Sequence, residues 1–110
     1  MSNLNGYRLL WVMVFFDLPT LEPEDRAAYT RFRNFLLDEG FEQAQYSVYV
    51  RHTSGKEAVT ALIRRIEPEV PPAGKVDILQ FTDRQYENIV SFRGRKNRSN
   101  PKNPDQYVLF

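Results

Sequence analysis

At 110 residues, with 42% hydrophobic and 14% aromatic content, the chain can bury one core but has no room for two ordinary domains. It contains no cysteine, which excludes disulfides, thiolate metal sites and cysteine nucleophiles and leaves the cytoplasm as the expected compartment. The net charge of +1 hides an asymmetry: residues 1–50 carry four Arg against seven acids, whereas residues 51–110 carry eleven Lys and Arg against seven.

Residues Met1 to Arg8 lack the basic start and small-residue cleavage site of a signal peptide, so no targeting or membrane segment is expected. The run Leu9-Leu10-Trp11-Val12-Met13-Val14-Phe15-Phe16 then stops abruptly at Asp17-Leu18-Pro19-Thr20. Eight apolar residues rich in β-branched and aromatic types predict a strand buried on both faces, too short to cross a membrane. Asp17 therefore stands at the rim of a rigid strand, where a carboxylate beside apolar neighbours is costly unless a metal, a donor or water meets it. A metal ligand is one reading of Asp17; a capped turn or a salt bridge is the other.

Pro19, Glu22, Pro23, Glu24 and Asp25 read as a helix entrance, with acids at the positive end of the macrodipole. The helix should run to about Glu39 and stop at Gly40, burying the stripe Ala28, Phe32, Phe35 and Leu36. Arg26 and Arg33 share a face of it, and Arg31 lies toward another flank. Residues 41–52 predict a bent or broken pair of strands without an Asn-Gly turn. A second helix starts near Ser54 and Glu57, which have capping-box spacing, and buries Val59, Leu62, Ile63 and Ile66 with Arg64 and Arg65 outward. Pro68, Pro71, Pro72 and Gly74 form a firm connector to a strand over Lys75 to Thr82, after which Asp83-Arg84-Gln85 turn the chain toward a short strand over Asn88 to Phe92.

From Gly94 to Gln106 the chain is polar and basic, a linker containing Arg95 and Arg98, and it ends on Tyr107-Val108-Leu109-Phe110. Four apolar residues left exposed are an aggregation hazard, so this end should dock, most simply by strand addition in this protomer, a second copy or another protein. The organisation expected is a domain over 1–93, a linker over 94–106 and a docking strand over 107–110. The element order suits an α+β, ferredoxin-like split βαβ architecture, with two helices on one face of a mostly antiparallel sheet and a C-terminal strand segment.

His52 is the only histidine, so a histidine pair on a metal is excluded, and neither a nucleophile elbow nor a phosphate loop is present. A lone carboxylate is a poor magnesium site, but in a two-fold dimer two copies of Asp17 can face one another. The ordered set Phe15-Phe16-Asp17-Leu18-Pro19, Arg31-Phe32-Arg33, Gln45-Tyr46-Ser47-Val48-Tyr49-Val50-Arg51 and Val76-Asp77-Ile78-Leu79 with Thr82 to Asn88 resembles the CRISPR-associated Cas-two family, the small nuclease-like subunit of the spacer-adaptation complex, over roughly residues 7–93. The resemblance is strongest to its type II branch.

That resemblance implies a ferredoxin-like homodimer that binds duplex protospacer DNA and bridges two dimers of the CRISPR integrase subunit. It implies that Asp17 is the catalytic and metal-binding aspartate at the dimer interface, with Mg2+ or Mn2+ as cofactor. Some members are metal-dependent nucleases on RNA or duplex DNA, while in spacer acquisition the protein can serve as a scaffold; the scaffold is the expectation here and the endonuclease acting through paired Asp17 the alternative. A single-strand RNA reader is a third reading, without its Gly-rich aromatic signature. Gln43 stands where several members carry a basic residue, which weakens a nuclease that relies on that charge. Arg31, Arg33, Arg64, Arg65, Arg95 and Arg98 are the candidate nucleic-acid contacts, and Tyr107, Val108, Leu109 and Phe110 the candidate partner-docking segment. Ser47 suits either a metal-bound water or a strand bend, and Tyr49, two positions on, suits a dimer core better than base stacking.

Overall fold

In the computed structural model, which describes residues 9–94, the apolar run becomes strand β1 (Leu10–Asp17), and Asp17 is its last residue. Helix α1 (Pro23–Asp38) follows, with Pro23 in its first turn and the Glu22 amide donating to the Asp25 carboxylate at 3.3 Å. The predicted stripe packs inward: Phe32 and Leu36 are buried, and Ala28 and Phe35 half-buried. The helix ends before Gly40, whose φ of +94° suits a residue without Cβ, and the Arg51 guanidinium donates to the freed Glu39 carbonyl.

The expected pair of strands is a hairpin of β2 (Glu42–Gln45) and β3 (Val48–Thr53), broken at Tyr46-Ser47 and irregular between Gln43 and Gln45. Ser47 supplies the left-handed conformation that an Asn-Gly turn would normally provide, with φ +64°. Helix α2 (Lys56–Ile66) buries Val59, Leu62 and Ile66, but the capping box predicted for Ser54 and Glu57 does not form. Its N-cap is Gly55, because the Thr53 hydroxyl takes over the junction by accepting from the Gly55 amide at 3.3 Å and donating to the Leu10 carbonyl at 3.0 Å. A 3₁₀ turn (Glu67–Glu69) and the proline connector lead to β4 (Lys75–Thr82).

The strand predicted over Asn88 to Phe92 is also corrected. The chain forms a short helix, α3 (Asp83–Glu87), and then runs irregularly. Thr82 starts this helix: its hydroxyl accepts from the Gln85 amide at 3.1 Å, and the Gln85 side chain accepts from the Thr82 amide at 2.8 Å.

The sheet is antiparallel throughout, in the order β2-β3-β1-β4, which is the ferredoxin-like arrangement. Both long helices cover one face, over a core that includes Val12, Val14, Phe16, Leu18, Tyr49, Phe32, Leu36, Val59, Leu62 and Ile66. Burial of β1 on both faces is therefore not observed: Val12 and Val14 are 0% exposed, whereas Phe15 is 37% exposed and Trp11 and Met13 are half-buried. Residues directly opposite in an antiparallel ladder share a face. The second face is thus built from Trp11, Met13, Phe15 and Asp17 with Val48, Val50 and His52 on β3 and Lys75, Asp77, Leu79 and Phe81 on β4.

One end of this second face is closed within the protomer. Tyr86 of α3 stacks on Trp11 with ring centroids 3.9 Å apart and an interplanar angle of 1°, and the indole N–H donates to the Asp83 carboxylate at 2.8 Å. Among the described residues no helix is long and apolar enough to cross a membrane. Arg95 and Arg98 of the expected linker, and the expected docking strand Tyr107 to Phe110, lie outside the described residues.

Candidate functional site

Asp17 is exposed at the end of the second face opposite to α3, directly across the ladder from Lys75. It lines an open depression of about 390 Å³ with Phe15, Phe16, Tyr46, Ser47, Val48, Lys75 and Asp77. Asp77 sits two residues along β4 on the same face, and its Oδ2 is 3.6 Å from the Lys75 ammonium. Two carboxylates and one ammonium therefore share the depression.

The backbone around Asp17 is held on three sides. The Phe16 amide donates to the Ser47 carbonyl at 3.1 Å, so the hairpin turn is tied to β1 one residue before the carboxylate. One residue after it, Leu18 is buried in the core, and the Arg26 guanidinium donates to the Thr20 and Leu21 carbonyls at 3.1 and 2.8 Å. Gly74 packs against the third side. With φ +96°, a Cβ there would fall 2.8 Å from both the Asp17 carbonyl oxygen and Leu18 Cδ2, closer than non-bonded atoms approach.

The Ser47 hydroxyl is engaged by Tyr29 of α1 at 2.8 Å, and the Tyr29 ring stacks on Tyr46 at 5.8 Å and meets the edge of Phe16 at 5.5 Å. Burial raises the Tyr29 hydroxyl above its ordinary pKa of 10.0. Tyr49 is not placed for a dimer core. It is 1% exposed within the protomer and stacks on Phe16, because it stands opposite Val14 in the ladder and so faces the helix-covered core. Its hydroxyl is buried, and burial raises its pKa against the lowering effect of the neighbouring Arg33 guanidinium.

The candidate arginines lie elsewhere. Arg31 and Arg33 project from α1 and Arg64 and Arg65 from α2, the helices that cover the other side of the sheet, and none lines the Asp17 depression. Arg31 lines a separate 230 Å³ cleft between α1 and Pro71-Pro72-Ala73. Arg65 is committed to a bidentate pair with Glu39, at 2.9 to 3.1 Å. Sequence reasoning passed over Lys75 and Asp77 as site residues. Their alternation in β4 was visible, but only the register against β1 brings them to Asp17.

A hard divalent cation requires oxygen ligands, and the depression offers the carboxylates of Asp17 and Asp77. Among the described residues no group of three or more metal-ligating side chains occurs, so one protomer supplies fewer ligands than an octahedral cation takes. The donors fit magnesium or manganese in kind.

The family model for "CRISPR associated protein Cas2" matches residues 10–89, from the first residue of β1 to just beyond α3. The chain belongs to the Cas2 family. Several curated relatives carry the name CRISPR-associated endoribonuclease Cas2, among them the three that follow. The protein of Paracidovorax avenae is 50% identical over 97% of this chain and 99% of its own length. That of Parvibaculum lavamentivorans is 42% identical over 92% of this chain and 100% of its own length. That of Flavobacterium psychrophilum is 38% identical over 99% of this chain and 95% of its own length. Among the described residues the Cas2 match thus spans every strand of the sheet and all three α-helices, including both strands that carry Asp17 and Lys75.

Proposed function

We propose that this Cas2-family chain acts in CRISPR spacer acquisition as a homodimer that binds duplex protospacer DNA and bridges dimers of the integrase subunit. The observation that carries the dimer is the second face of the sheet. It is apolar at Met13, Phe15, Val48 and Leu79, is covered by neither long helix, and has Asp17 at its margin. A two-fold axis through that face buries the apolar residues twice over and brings one Asp17 toward its copy, completing from one residue type a ligand set that a single protomer lacks.

Endonuclease action is the second reading, favoured by the names of the relatives and by the open approach to Asp17. In it Asp17 would hold Mg2+ or Mn2+, which would supply charge neutralisation at a scissile phosphate and an activated water nucleophile. The chain's own contribution is positional, with Ser47, Leu18 and Gly74 fixing the backbone on either side of the carboxylate. RNA and duplex DNA are both substrates to test.

Reconstitution with the cognate integrase and duplex DNA, comparing the wild type with Asp17→Ala, tests the ranking. The scaffold reading expects metal-dependent cleavage to vanish while the complex assembles and integrates spacers. Loss of integration by Asp17→Ala in a normally assembled, normally DNA-bound complex would overturn it.

A further inference from the structure

We propose that Lys75 is the phosphate-anchoring residue of the Asp17 depression, its ammonium binding a non-bridging oxygen of a nucleic-acid phosphodiester that lodges over the Asp17–Lys75 end of the paired strands β1 and β4. The inference deepens the nucleic-acid-binding reading above and rests on it. Without a cation from the chain, the depression would present two carboxylates to an anionic backbone and repel it. Among the described residues Lys75 is the only basic side chain lining it, directly opposite Asp17 in the ladder.

Two features separate Lys75 from an ordinary surface lysine. Its ammonium forms a long ion pair with Asp77, at 3.6 Å and outside hydrogen-bond distance, and its side chain is 75% exposed, so its donors stay open to a ligand that competes with that carboxylate. Arg65, by contrast, is taken up by both oxygens of Glu39. The second feature is the backbone. Gly74, immediately before Lys75, is pressed against the Asp17 carbonyl so closely that no Cβ fits, which fixes the distance between the start of β4 and the end of β1. The geometry places a mobile point charge on a rigid base facing a carboxylate that can hold a divalent cation. A phosphate lodged there meets positive charge from both sides.

The test is fluorescence anisotropy of full-length protein with a labelled DNA duplex over a series of salt concentrations, for wild type, Lys75→Gln, Lys75→Arg and Lys56→Gln. Lys56 is exposed at the start of α2 and controls for the change in net charge. Lys75→Gln should bind several-fold more weakly and flatten the slope of log affinity against log salt by about 0.9 for each phosphate that it no longer neutralises. Lys75→Arg should restore both quantities, and Lys56→Gln should leave the slope at the wild-type value. A wild-type slope for Lys75→Gln, or equal losses for Lys56→Gln, would overturn the inference while leaving the DNA-binding reading standing. Failure of the wild type itself to bind duplex would remove both. Thermal midpoints measured in parallel expose any variant whose weaker binding comes from unfolding.

Discussion

The hydroxyl pair Tyr29–Ser47 ties α1 to the turn beside Asp17, and its strength can be worked out in advance. Tyr29→Phe removes one hydroxyl and leaves the ring contacts with Tyr46 and Phe16 in place. A neutral hydrogen bond contributes about 1 kcal/mol net, and the half-buried Ser47 oxygen it leaves behind can turn partly toward water, so the cost should stay near about 1 kcal/mol. In a domain of this size that is a fall of roughly 4–8 °C in melting temperature. Ser47→Ala should cost a similar amount, and the double variant hardly more than either single one, because the second change removes a hydroxyl already stranded by the first. Ser47→Gly adds an internal comparison. It loses the same bond, but it relieves the left-handed strain of a residue at φ +64°, offset in part by the greater freedom of unfolded glycine, so it should exceed Ser47→Ala by about 0.5–1 kcal/mol. Urea denaturation followed by circular dichroism measures all four. Additive losses, or a Ser47→Gly variant less stable than Ser47→Ala, would refute this account of the turn.

Three further outcomes are expected. Tyr29 and Tyr49 have hydroxyls raised above the ordinary 10.0, so the folded state holds these protons more tightly than the unfolded chain; stability should be level below pH 10 and fall as the pH rises beyond it, and Tyr49→Phe should flatten the fall in alkaline urea titrations. Gly74→Ala should cost roughly 2–4 kcal/mol, from backbone strain and from a Cβ 2.8 Å from the Asp17 carbonyl, read as a lowered urea midpoint. Leu79→Asp, at a side chain 49% exposed in the protomer, should leave the circular dichroism unchanged and halve the mass measured by light scattering; an intact dimer would move the interface to another surface.

The parts of the fold legible in the sequence are those where apolar and polar residues contrast. Phe32 and Leu36, and Val59, Leu62 and Ile66, repeat at helical spacing among charged neighbours, and both helices lie where that pattern puts them. β1 has no such contrast. Trp11, Met13 and Phe15 are as apolar as Val12, Val14 and Phe16, so the pattern carries no trace of which set the helices cover. α3 is too short to show a period, although the Thr82 and Gln85 spacing that caps it was readable; the same spacing at Ser54 and Glu57 misled, because it does not register the competing Thr53 hydroxyl. At the site, Asp17 stood out as a charge ending an apolar run, whereas Lys75 and Asp77 acquire meaning only through strand register, and the Arg65–Glu39 pair only through packing across 26 positions.

The seal formed by α3 has a spectroscopic consequence. Trp11 is the sole tryptophan of the chain, and its indole lies flat on Tyr86 with its N–H held by Asp83. Emission excited at the red edge of the tryptophan band therefore reports on a single contact between a five-residue helix and the sheet, while the principal core, rich in Phe and Tyr, is silent there. If α3 lifts before the domain unfolds, the emission will shift to longer wavelength at a denaturant concentration where the far-ultraviolet dichroism has not yet changed. The chain carries its own optical label at one end of the surface opposite its helices, on the far side of that surface from Asp17.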